Sequence, residues 1–253
     1  MATTLERSAV STVEPGIQPS RALRACWIVG FGSLIVAFPV YTLLVFGAGS
    51  DRSVMANALA VQATLGYFLG IFAALLPFLS LRTWSRYQRL QAVVLPFVIC
   101  SYLTHLTWEL GWLVLHRAIA GARDSAWAYA WWAYIDGGDR RYLNPDAHFL
   151  MIEVLSVVNG CVGVTGLILL KRSRFADPRG TLLLMATAIV HTALTWYYYG
   201  SEILGGFPST NTSSFLDLGV KFILLNSPWL IAPWIVLAWG YQTLRRQFAR
   251  VAT

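Results

Sequence analysis

Six long apolar runs constrain this chain more than any other feature. They cover roughly 26–48, 55–80, 90–115, 147–170, 180–204 and 218–243. About 20 apolar residues span the hydrocarbon core of a bilayer as a helix. In lipid every backbone polar group must be satisfied within the segment, which leaves the helix as the form for runs of this length. The expected fold is therefore all-α, a polytopic membrane bundle of six transmembrane helices. Composition agrees: 57% of the residues are hydrophobic and 12% are charged, against about 25% charged in a soluble domain.

The basic residues fall between the runs in alternation. Arg21 and Arg24 precede the first, Arg82, Arg86 and Arg89 follow the second, Lys171, Arg172, Arg174 and Arg179 follow the fourth, and Arg245, Arg246 and Arg250 follow the sixth. The other three connections lack such an excess. The positive-inside rule then puts both termini in the cytoplasm, and an even number of spans requires that agreement. The net charge of +7 does not mark a nucleic-acid binder, because these cations are spread over loops and form no single face. No nucleic-acid partner is expected. Cys26, Cys100 and Cys161 all lie in apolar runs without a CxxC spacing, and read as small buried hydrophobes.

Residues 1–20 read as a loose polar tail, and the first apolar run is too long for a cleavable signal. The remaining divisions are two transmembrane helices within 21–89, a core over 90–243 and a basic cytoplasmic tail over 244–253. The connection 117–146 is rich in Trp and Tyr, which suits an interfacial segment lidding the bundle on the non-cytoplasmic side. Asn211, Thr212 and Ser213 fit a glycosylation sequon, a pattern common by chance. No internal repeat of the transporter kind is visible.

The first two runs are free of charge, and each of the last four carries at least one ionisable group. An ionisable residue at membrane depth is costly and marks a functional site by default. His105 and Glu109 are one helical turn apart, flanked by Trp108 and Trp112. Glu153 is followed by Ser156 and Gly160 on the same face. His191, Thr195, Tyr199 and Glu202 share helical spacing, as do Asn226, Trp229 and Pro233, with Lys221 a turn earlier. Such stripes turn away from lipid, so spans three to six are expected to enclose a partly polar cavity. Glu202 and Lys221 lie near span ends, where snorkelling or a structural ion pair is as good a reading as function. His191 alone fits an inter-helix hydrogen bond better than chemistry.

Physics leaves several uses for such a cavity. A carboxyl in a low-dielectric site can hold a proton at neutral pH and donate it. A second carboxylate or a tryptophan face can stabilise a positive centre. This set suits acid–base chemistry through a carbocation, the binding of a lipophilic amine, or proton-coupled transport. Zinc is disfavoured, since His105 and Glu109 would need further ligands and no HExxH pattern is present.

Four stretches resemble the emopamil-binding protein family, the sterol Δ8–Δ7 isomerases of the EXPERA superfamily. His105 to Trp112 is similar to that family's H-x-x-x-E followed by G-W. Gly138 to Tyr142 is similar to its G-D-x-R-Y, with Glu153 eleven residues on and Ser156 where the family has threonine. Tyr198 to Glu202 with Gly206 and Phe207 is a third match, and Asn226 to Pro233, similar to N-x-x-W-L-x-x-P, is the fourth. The resemblance covers roughly 90–243. It implies a five-helix EXPERA-like core, with the 26–48 helix as an N-terminal addition.

It also implies an intramembrane isomerase that shifts a double bond in a sterol or related polycyclic terpenoid and needs no cofactor. His105, Glu109 and Glu153 would be catalytic. Trp108, Trp112, Tyr142, Ser156, Asn226 and Trp229 would line the substrate, with Ser156 orienting Glu153, Asn226 and Tyr142 holding the carboxylates, and Trp229 facing the cation. The alternatives are a terpenoid cyclase and a non-catalytic receptor or carrier for sterols and cationic amphiphiles. The expected partners are a lipophilic small molecule and membrane lipid, and the reading admits a homodimer. The membrane would be that of the endoplasmic reticulum in a eukaryote and the cytoplasmic membrane in a bacterium.

Overall fold

The computed structural model describes residues 19–136 and 138–251. The expected tail lies almost wholly outside the described residues. Six helices are long and apolar enough to cross a membrane: α1 (Arg21–Phe46), α2 (Arg52–Leu75), α3 (Arg86–Ala120), α5 (Ala147–Arg172), α6 (Pro178–Leu204) and α7 (Leu216–Ala249). One short helix, α4 (Tyr129–Ile135), lies in the long connection. No strand occurs among the described residues, and the protein is an all-α polytopic bundle.

The helix starts are written locally. Ser20, Asp51, Asp146 and Asp177 each accept a hydrogen bond from a backbone N–H in the first turn. Ser85 and Gln88 form a reciprocal capping box at the start of α3. These side chains satisfy orphan donors of the first turn. Pro178, at the first position of α6, has no N–H to satisfy. The basic stretch expected as a tail over 244–253 continues α7 helically to Val251.

Without a strong hydrophobic drive between helices in lipid, close backbone approach must hold the bundle. Gly30 of α1 meets Gly66 and Gly70 of α2, and Gly166 of α5 meets Gly180 of α6. A Cβ at Gly163 would run into the Tyr102 ring, so that glycine is what admits the phenol between α3 and α5. Tyr102 then hydrogen-bonds Thr187 of α6 at 2.6 Å.

Two spans are not regular α-helices. Residues His105–Glu109 of α3 form a π-turn, in which the Leu110 N–H reaches the His105 carbonyl. Span α7 begins as a π-helix over Leu216–Leu224, breaks over 225–227 and restarts at Pro228. The apolar run 218–243 is therefore not one continuous α-helix. Asn226 repairs the break: its amide donates to the Lys221 and Phe222 carbonyls at 3.2 and 2.8 Å.

The aromatic connection lids the bundle and is partly buried in it. Trp127 is half-exposed, as an interfacial residue would be, but Tyr129 and Trp132 are buried. The α4 helix packs against α2 and α3. Arg52 at the start of α2 pairs with Asp136 at 3.1 Å and lies over the Tyr129 ring. The segment is therefore folded into the bundle as a cap.

Candidate acid–base cavity

A cavity of about 1120 Å³ runs into the bundle beneath α4. All six spans line it. The expectation of a wall made by spans three to six alone is thus corrected: α1 contributes Trp27, Phe31 and Phe38, and α2 contributes Leu59, Ala63 and Tyr67. The physical reason is α2. It packs against α4, α3 and the π-helical start of α7, so it is inserted into the bundle, and α1 follows by its glycine contacts.

His105 is buried and its Nδ1 lies 2.5 Å from Glu109 Oε2. The π-turn occupies the five residues from His105 to Glu109. Such insertions are frequent at functional sites because they re-aim side chains within an otherwise regular helix. Glu153 of α5 also lines the cavity and is buried, and Tyr142 donates its hydroxyl to Glu153 Oε1 at 2.7 Å. Glu153 Oε2 has no partner. Burial, followed by the charge of Glu153, pushes the Tyr142 phenol well above its ordinary value, so Tyr142 stays a donor. No lysine or arginine forms an ion pair with Glu109 or Glu153 among the described residues.

Trp229 lines the cavity and donates its indole N–H to Ser101 Oγ at 2.8 Å. Its ring meets Tyr67 edge-on at 5.3 Å between centroids. Trp108 also lines the cavity and stands edge-on to Tyr142 at 5.2 Å.

Three expected residues take other parts. Trp112 is fully buried behind Tyr142, donates to the Tyr142 carbonyl at 3.0 Å and does not line the cavity. It braces the tyrosine, because an indole N–H in an apolar layer takes the nearest free carbonyl. Asn226 lines the cavity but holds no carboxylate; its amide goes to the α7 break and to the Tyr134 hydroxyl at 3.0 Å. Ser156 lines the cavity near Glu153 without a hydrogen bond to it.

Glu202 and Lys221 are structural. Glu202 accepts from Thr210 at 3.1 Å and lies 3.5 Å from Arg141. Lys221 pairs with Asp217 at 2.8 Å and donates to the Asp136 carbonyl. Arg141 forks onto Asp139 and lies over the Tyr198 and Phe149 rings. Burial opposes the guanidinium charge, and the Asp139 hydrogen bonds outweigh it, so Arg141 stays charged and fixes the loop that presents Tyr142.

Tyr67 and Tyr134 of the lining, and Ser101, which accepts from Trp229, were not singled out from sequence, while His191 makes the inter-helix hydrogen bond expected of it. His191 Nε2 lies 2.7 Å from His105 Nε2, and the rings meet edge to edge with centroids 4.9 Å apart. Ser101 was accessible to spacing, since it stands one turn before His105. Tyr67 and Tyr134 were not, because nothing local distinguishes them from other membrane tyrosines.

The fold and the cavity define a polytopic helical membrane protein with a buried, largely apolar chamber carrying two carboxyl groups. No model of a known protein family matches the chain.

Proposed function

We propose that the protein is an intramembrane isomerase that moves a carbon–carbon double bond in a sterol or related polycyclic terpenoid. The observation that carries the reading is the convergence of two carboxyl groups, each with its own proton-bearing partner, on one apolar chamber. Glu109 is paired with His105 and Glu153 with Tyr142. The chamber, at about 1120 Å³, is large enough for a polycyclic lipid. The resemblance of residues 90–243 to sterol isomerases points the same way.

One carboxyl group adds a proton to one alkene carbon, leaving a tertiary carbocation at its neighbour. The other carboxyl group removes a proton from the carbon on the far side of the cation, and the electron pair of that C–H bond becomes the new double bond. One proton enters and one leaves, so the step balances without a redox partner. The Trp229 face and the unpartnered oxygen of Glu153 would stabilise the cation. The charge pattern of the loops would place both termini in the cytoplasm.

Membranes containing the protein should convert a Δ8-sterol in deuterated water to its Δ7 isomer with one deuterium incorporated, read by mass spectrometry. Glu109→Gln and Glu153→Gln should each abolish the conversion while the protein still accumulates. Turnover surviving both changes overturns the assignment. Tight binding of a tertiary amine with no turnover by the wild type would instead mark a carrier.

A further inference from the structure

Ser101 Oγ sits among three nitrogens: Trp229 Nε1 at 2.8 Å, His105 Nε2 at 3.1 Å and His191 Nε2 at 3.2 Å. The two imidazole nitrogens are themselves 2.7 Å apart. An indole N–H only donates, so it occupies one lone pair of the serine. Two nitrogens at hydrogen-bonding distance share a single proton, since two N–H groups would collide and two lone pairs would repel. The remaining question is which ring carries it.

The other nitrogen of His105 answers this. Its Nδ1 faces Glu109 Oε2, and whenever Glu109 is the carboxylate that oxygen only accepts. His105 then carries its proton on Nδ1 and presents a bare lone pair at Nε2. The shared proton belongs to His191 Nε2, and His191 Nδ1 is left bare. That atom is buried and has no partner, a condition tolerated better by an acceptor than by an N–H. The Tyr102 ring lies nearly parallel to His191, with centroids 6.0 Å apart.

We propose that His191 is a positioning residue: by donating to His105 Nε2 it holds the His105 proton on Nδ1, aimed at Glu109, while Ser101 ties the same pair to Trp229. The assignment goes beyond the isomerase reading and rests on it only for its kinetic consequence. The tautomer a histidine adopts is set by what its second nitrogen meets. A partner of this kind controls chemistry without touching substrate.

The test is nitrogen NMR of the full chain, ¹⁵N-labelled at histidine and embedded in lipid nanodiscs. The chain has four histidines, so the ring signals are few. The expected spectrum has His105 protonated at Nδ1 and bare at Nε2, with a nitrogen–nitrogen coupling from that atom to a protonated His191 Nε2. His105 protonated at Nε2, or no coupling between the rings, overturns the proposal. His191→Gln retains an N–H donor and should keep the His105 tautomer, whereas His191→Phe should leave a mixture. In turnover, His191→Phe should lower kcat by about tenfold or more with KM little changed, and His191→Gln should recover most of the loss. Should the spectrum match and the wild type show no double-bond migration, the isomerase reading fails and the tautomer assignment stands.

Discussion

Glu153 depends on a single hydrogen bond. Tyr142 donates to Oε1, Oε2 has no partner, and the residue is 3% exposed. Removing the donor from a buried acceptor costs about 1–3 kcal/mol, more when the acceptor is charged. Tyr142→Phe should therefore lower isomerase turnover sharply, and thermal denaturation in detergent should show at most a modest loss of stability, because the ring still packs against Trp108, Trp112 and Phe149. Turnover at the wild-type level would show that Glu153 needs no such partner. At this scale sequence reading did well for residues whose chemistry is rare in lipid. His105, Glu109 and Glu153 stood out because charge is costly there, and the structure sets all three on one chamber. Trp112 was assigned to the substrate layer and lies behind it, and Asn226 lines the chamber but gives its amide to backbone carbonyls and the Tyr134 hydroxyl rather than to a carboxylate. Such carbonyls are invisible until the backbone is known.

At the scale of elements, the number and order of spans were legible because hydrocarbon thickness sets a length that a run of residues either reaches or does not. The π-turn in α3 was not legible, because π and α segments use the same residues and differ only in a shifted hydrogen bond. A π-turn holds one residue more than the α-helix around it, so deleting one residue should return the segment to α. Thr107 is the choice: it is exposed, and its hydroxyl bonds only the Leu103 carbonyl of its own helix. The Thr107 deletion should leave the helix content by circular dichroism unchanged and the thermal midpoint close to that of the parent. It leaves His105 and Glu109 at i, i+3 spacing, which changes the approach of Nδ1 to the carboxyl, and turnover in the proposed reaction should fall. Retention of activity would show that the extra residue does not set the His105–Glu109 contact. The lid over the bundle was legible in the 117–146 connection, but its burial was not: Trp and Tyr content fits both an interface and a buried layer, and the Arg52–Asp136 pair and the packing on α2 are visible only in the fold.

Across the whole molecule, the chamber reaches the lipid-facing surface. Ile35 of α1 is 76% exposed and Leu103 of α3 is 58% exposed, yet both line the chamber. The α1 helix packs along α2 and makes no extensive contact with α3. The mouth therefore lies between α1 and α3 and is lined by apolar side chains, including Leu34, Leu95 and Ile99. A polycyclic lipid dissolved in the bilayer would meet an apolar opening at its own depth and need not cross water. Narrowing this mouth should then act on capture and leave the chemistry alone. Ile35→Trp and Leu103→Trp place bulk at exposed positions, where substitutions change stability by roughly 0.5 kcal/mol or less, so thermal midpoints should hold. Both should lower kcat/KM for a sterol-sized substrate, with kcat at saturation preserved, and the double variant should lower it further. Loss of kcat with KM unchanged would place the obstruction at the reacting centre, and unchanged kinetics in the double variant would mean that substrate reaches His105, Glu109 and Glu153 by another route.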